Sequence, residues 1–189
     1  MIQKGGDVDL TYFLKESVKY FGFDTADMTK STDTKMFMVM DGNLGVTSIF
    51  MGMMGKKVVQ KTKLKASDFN SDNDSFDYTY TKVDSKTIMV YECEGFVSEN
   101  NKTKITFYIT DDIPVSFNQV FGANSKSIPK GVNSDWIKKY TENGLMMEMI
   151  YVDKKKSKNN MIMNCIGLDK IDFSIDTSLY GSMISAFGG

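Results

Sequence analysis

The sequence predicts one mainly β domain spanning residues 1–189, an α+β fold of antiparallel strands with two short helices. Three observations predict it. Apolar residues recur with period two through most of the chain, as in strands with one buried face. Neighbouring segments of this kind are joined by short polar turns, which suits antiparallel pairing rather than crossover connections. Helical spacing, in contrast, appears in only two places. At 189 residues, 41% hydrophobic and 25% charged, the chain is large enough to bury a core without metal or disulfide staples.

Taken in order, the first segment places Leu10, Phe13, Leu14, Val18 and Phe21 at helical spacing and predicts a helix over Asp7 to Phe21. Met36, Met38 and Met40 then share one face of a strand that ends in an Asp41-Gly42-Asn43 turn. Ile49, Met51 and Met53 share a face of the next. Val58 to Lys65 reads as a strand whose Lys57, Lys61, Lys63 and Lys65 point one way. Met89, Tyr91 and Cys93 form another stripe, as do Ile105, Phe107 and Ile109. The second helix starts at Asn133 or Ser134, carries Trp136, Ile137 and Tyr140, and stops at Gly144. Leu145, Met147, Met149 and Tyr151 line up against Glu148. The polar run Asp153 to Asn160 makes a hairpin tip, and Met161, Met163 and Cys165 return beside it. Ile171 to Ile175 is a further candidate strand.

Charge excludes some functions. The net charge is −1, every basic residue is Lys, and His is absent. Nucleic-acid interfaces depend on cationic clusters and favour the bidentate Arg fork, so no nucleic-acid partner is expected. Without His the common Ser–His and Cys–His pairings cannot form, and the adjacent Asp111 and Asp112 would point to opposite faces of a strand. The chain is therefore expected not to be an enzyme. No motif calls for a cofactor. Cys93 and Cys165 lie far apart with no CxxC spacing, which argues against structural zinc and leaves a disulfide or two buried thiols. Met1-Ile-Gln-Lys-Gly-Gly has no apolar signal core, which fits a cytoplasmic protein or a chain whose signal has been removed.

Asp68-Phe-Asn70-Ser-Asp72-Asn-Asp74 has the alternating oxygens of a calcium loop but carries Asn73 at the sixth position and Thr79 at the twelfth. A solvated loop accounts for it, and no metal site is assigned. Gly52-Met-Met-Gly55-Lys56-Lys57 fails as a phosphate loop, because Phe50 stands where the first Gly belongs and no Ser or Thr follows Lys56. The lysines from Lys56 to Lys65 would attract anionic headgroups, although a solvated strand face gives the same pattern.

The fifteen methionines are the strongest oddity, and they cluster at period two. Thioethers can hold Cu(I), yet no His or nearby Cys joins the clusters, and a buried sheet face produces the same spacing. Met also builds adaptable apolar pockets, since its unbranched chain repacks around varied ligands. Met38, Met51, Met147, Met149 and Met163 are the candidate pocket-lining residues.

A strand starting at Lys86-Thr87-Ile88 and running into Tyr91-Glu92-Cys93-Glu94-Gly95-Phe96 is followed by Phe107-Tyr108-Ile109-Thr110-Asp111-Asp112-Ile113-Pro114. Gly144 to Glu148, a polar hairpin, Met161 to Ile166, Phe173-x-Ile175 and Tyr180-x-x-Met183 come next. This order, over residues 35–183, resembles the uncharacterised bacterial envelope family described as domain of unknown function 4412, common in Bacteroidetes. Val90 departs from the Gly usual before the Tyr, and a basic residue often found in the early Met-rich strand is missing. The resemblance implies a fold similar to the periplasmic lipoprotein carriers: a curved antiparallel sheet forming an incomplete barrel, with helices covering its concave side. It also implies export to the cell envelope, with membrane association only through a removed anchor. It brings no catalytic residues. The expected function is a non-enzymatic envelope protein binding a lipid or other apolar ligand. The alternatives are a structural or protein-interaction module with a filled core, and a Met-rich Cu(I) protein.

Overall fold

The computed structural model describes residues 7–24, 36–63, 78–115 and 144–182. Eleven strands appear among them: β1 (Tyr12–Phe13), β2 (Tyr20–Asp24), β3 (Met36–Asp41), β4 (Val46–Met53), β5 (Lys56–Lys63), β6 (Thr79–Ile88), β7 (Tyr91–Glu99), β8 (Thr103–Thr110), β9 (Leu145–Asp153), β10 (Met161–Asn164) and β11 (Gly181–Ser182). The helical content of the described residues is two 3-10 turns, Ser157–Asn159 and Thr177–Leu179. The β-dominance expected from period two is thus observed among the described residues, in two sheets of which neither closes into a barrel there.

The helix expected over Asp7 to Phe21 is not there. Ser17 adopts a left-handed φ of 59°, which interrupts any helix, and the aromatics on either side form strands instead. Tyr12 pairs with Phe23 and Phe13 with Gly22, which puts the stripe residues Phe13 and Phe21 on opposite faces of the sheet. The second expected helix lies outside the described residues apart from Gly144, as does the Asp68–Asp74 loop. Ile171 to Ile175 forms no strand.

Contacts divide the chain into two compact units, residues 1–68 with 171–189, and residues 69–170. The first holds a six-stranded sheet in the order β1-β2-β3-β4-β5-β11, antiparallel except where β11 joins β5 in parallel. Its turns follow local chemistry. The Asp41 carboxylate accepts hydrogen bonds from the N–H groups of Asn43 and Leu44 at 2.9 Å each, closing the β3–β4 turn. On one face the unit's own C-terminal segment packs against the strands: Phe173 stacks on Phe13 at 4.3 Å and lies 5.1 Å from Phe37, while Tyr180 meets Phe50 edge-on at 5.0 Å.

The second unit holds a five-stranded antiparallel sheet, β10-β9-β8-β7-β6. Its core gathers on Phe96 and Ile109 with Phe107 against them. The segment from Lys86 to Phe96 is a tight hairpin rather than one strand: Ile88 pairs with Tyr91, and Met89 sits in the turn at φ 57°. The polar hairpin between β9 and β10 is as the sequence suggests. Asp153 organises it by accepting from the N–H groups of Lys155 and Lys156 and from the Asn159 amide. These bonds, with that from Asn159 foremost, hold its carboxyl below the usual aspartate range. Cys93 is fully buried on β7, and burial pushes its thiol up. Cys165 lies just past β10 and is only half-buried, so it does not occupy the buried strand position expected of it. Both are free thiols.

Candidate functional site

Strand register shows which side chains share a face. In the six-stranded sheet one row runs Tyr12, Phe23, Met38, Ile49, from β1 to β4. A second row joins Met36 and Met51 to Val58, and a third joins Phe21 to Met40. The result is one continuous face of thioethers and aromatic rings. Tyr12 approaches Phe23 at 5.8 Å and Phe21 at 6.2 Å. Val58 and Phe21 are buried in it, while Met36, Met38, Met40, Met51 and Met53 are all half-buried. Desolvation raises the Tyr12 phenol above its ordinary range.

The five-stranded sheet has its own apolar row, Phe96, Phe107, Met149, Met163, one residue from each of β7 to β10. Met149 and Met163 are direct cross-strand partners and half-buried. Met147 behaves differently. The β8–β9 register shifts after Tyr108, leaving Met147 as the extra residue of a bulge, fully buried, with its carbonyl accepting from the Cys165 N–H at 2.8 Å. The expected alignment of Leu145, Met147, Met149 and Tyr151 is therefore broken at Met147. Of the five methionines singled out by the sequence, Met38 and Met51 share a face of the first unit, Met149 and Met163 pair in the second, and Met147 stands apart.

The opposite face of the five-stranded sheet carries a polar row that sequence spacing does not reveal. Gly95, Tyr108, Glu148 and Asn164 are successive partners across β7 to β10. Lys86 of β6 reaches over this row. Its Nζ donates to Glu148 Oε1 at 2.6 Å and lies 4.1 Å from the centre of the Tyr108 ring. With its amide turned to match its neighbours, Asn164 donates to the other carboxylate oxygen at 3.2 Å. Glu148 keeps 15% of its side-chain exposure and Lys86 39%, so the pair is partly screened by solvent. Lys86, Gly95, Tyr108, Glu148 and Asn164 all stand within the segments that carry the family resemblance. A double-mutant cycle with Lys86→Met and Glu148→Gln should give a coupling of about 0.5–1 kcal/mol in urea unfolding, discounted for solvent access. Additive effects would mean that the pair does not form in solution.

At one end of the same unit, Thr79, Thr81, Glu99, Asn100 and Asn101 line a shallow polar depression. Asn100 closes the β7–β8 turn by accepting from the N–H groups of Lys102 and Thr103. Its Nδ2 is buried with no hydrogen-bond partner among the described residues. Lys154 bonds Glu99 at 2.7 Å and holds that carboxyl below its ordinary range. Asp111 and Asp112 follow β8 in a bend, where the Asp112 N–H donates to Thr110 Oγ1 at 3.3 Å. Among the described residues no three carboxylates or cysteines converge as a metal site.

A family model described as Domain of unknown function (DUF4412) matches residues 1–179. No curated protein matches. Two solved structures of PNGF-II, in space groups P21 and C2, are similar at 12% identity each, with TM-scores of 0.44 and 0.42. They cover 89% and 93% of this chain but only 26% and 31% of their own, so the chain spans about a quarter to a third of their length.

Proposed function

We propose, from the premise that this chain belongs to the DUF4412 family, that it is a non-enzymatic envelope protein holding an acyl chain or similar apolar ligand on a Met-rich sheet face. The observation that carries the reading is the row of half-buried methionines on one face of the six-stranded sheet. On its Phe13, Phe37 and Phe50 face, Phe173 and Tyr180 of the same unit make ring contacts. On the other face the row of Phe23, Met38 and Ile49, with Met36 and Met51 beside it, keeps its methionines only half-buried. Thioether chains adapt to varied apolar shapes, so a half-buried row of them suits a ligand better than it suits tight packing.

In this role the six-stranded sheet acts as an incomplete barrel like that of the periplasmic lipoprotein carriers. The envelope location rests on the family resemblance. A non-enzymatic role is supported by the absence of His and by the Lys86–Glu148 pair, whose charges are spent on each other. A filled-core interaction module is the second reading, favoured by the fully buried Met147.

Titration with a fluorescent fatty-acid probe separates the two. Saturable binding, weakened by Met38→Ala and Met51→Ala with little loss of melting temperature, is the expected result. A parent protein that binds no probe would leave the filled-core module.

A further inference from the structure

The apex of the β4–β5 hairpin is built against its own turn chemistry. Met53 pairs with Lys56, so the turn has two central residues, Met54 at φ 51° and Gly55 at φ 72°. A turn with both residues left-handed favours Asn or Gly at its first position, because a long side chain there crowds the backbone. Met54 occupies that position and is 86% exposed, more than any other large hydrophobic among the described residues. A strained backbone that presents an apolar side chain to solvent implies a use for the side chain outside the fold.

The strand leaving the apex supplies the second observation. Lys56, Lys57, Lys61 and Lys63 are all exposed, and Val46 to Lys63 contains no Asp or Glu. Lys57, Lys61 and Lys63 alternate onto one side of β5, and Lys56 stands beside the apex. The charged and aromatic groups facing Lys57 come from the C-terminal segment: its Nζ lies 5.7 Å from the Tyr180 ring centre, and Asp176 is near enough to feel its charge. The β6–β7 tip makes a useful contrast. Met89 is also left-handed and Val90 is 81% exposed, but Glu92 and Glu94 follow, and Lys86 is bonded to Glu148. That tip has the apolar apex without the cationic collar.

We propose that the β4–β5 hairpin is a membrane-surface finger, with Met54 entering the interface of an anionic lipid bilayer while Lys56 and Lys57 beside it meet its headgroups. An apolar tip collared by lysines matches such a surface in both hydrophobicity and charge. The finger is independent of ligand binding on the Met-rich face. Flotation with vesicles of phosphatidylglycerol and phosphatidylethanolamine, against vesicles of phosphatidylcholine, tests it. The full chain should bind the anionic vesicles and release them at high salt. Met54→Asn relieves the turn, so its melting temperature should hold or rise while vesicle affinity falls about tenfold. Lys56→Gln and Lys57→Gln should each cost about fivefold. Met89→Asn should leave vesicle binding unchanged, and Met54→Asn should leave fatty-acid-probe binding unchanged. Equal affinity for both vesicle types, full binding by Met54→Asn, or an equal loss in Met89→Asn would each overturn the assignment.

Discussion

Gly95→Ala is expected to destabilise the protein by about 2–3 kcal/mol through overpacking of a site with no slack. A Cβ at this position would lie 2.7 Å from the Asp84 carbonyl oxygen, 2.7 Å from Tyr108 Cε1 and 2.8 Å from Val83 Cγ2. The carbonyl cannot swing aside, because Asp84 lies in the β6 irregularity between Val83 and Lys86, which sets the register of that edge. The Tyr108 ring can move only by giving up its place beneath Lys86 Nζ. Gly95 is thus the residue that lets the tyrosine lie flat against its partner strand and so positions the Lys86–Glu148 pair. Gly167→Ala is the control, since nothing lies within 4 Å of its added methyl. Urea unfolding should show a lower midpoint for Gly95→Ala with an unchanged slope, and no change for Gly167→Ala. Equal midpoints would contradict the β7–β8 register.

Met147→Ala is expected to cost about 2–5 kcal/mol, the range for truncating a fully buried side chain that leaves a cavity. Met147 has no exposed surface and sits in a bulge pinned by the Cys165 N–H, so its surroundings can relax little. Met38→Ala, Met51→Ala, Met149→Ala and Met163→Ala act at half-buried positions and should cost about 1 kcal/mol each on the area they remove from contact. This gap separates a structural methionine from those offered as ligand-facing. Losses as large at all five positions would show the Met rows to be solid core.

Much of the fold is legible in the sequence, because period two is a local signal. Met36–Asp41, Val46–Met53, Lys56–Lys63 and Thr103–Thr110 all alternate visibly, and Asp41 and the Asp153–Asn160 run mark their turns. The N-terminal segment misleads for a physical reason: Leu10, Phe13, Leu14, Val18 and Phe21 satisfy a helical stripe, but Ser17 turns left-handed and Tyr12 and Phe13 find partners in β2. The edge strand β6 is exposed along most of its length and so carries little alternation to read. What local patterning cannot show is long-range register. The division into two sheets, the bulge that detaches Met147 from its row, and the Lys86–Glu148 bond across 62 residues all depend on pairings between distant segments. The methionine clusters were visible as residues, but only the register separates Met147 from Met149 and Met163.

Native mass spectrometry of the protein purified from its expression host tests the ligand-binding account most directly. A population carrying a discrete lipid-sized mass that leaves on collisional activation is expected, with a much smaller such population in the Met38→Ala, Met51→Ala double variant. A single unliganded mass for the parent, unchanged after incubation with fatty acid, would contradict it.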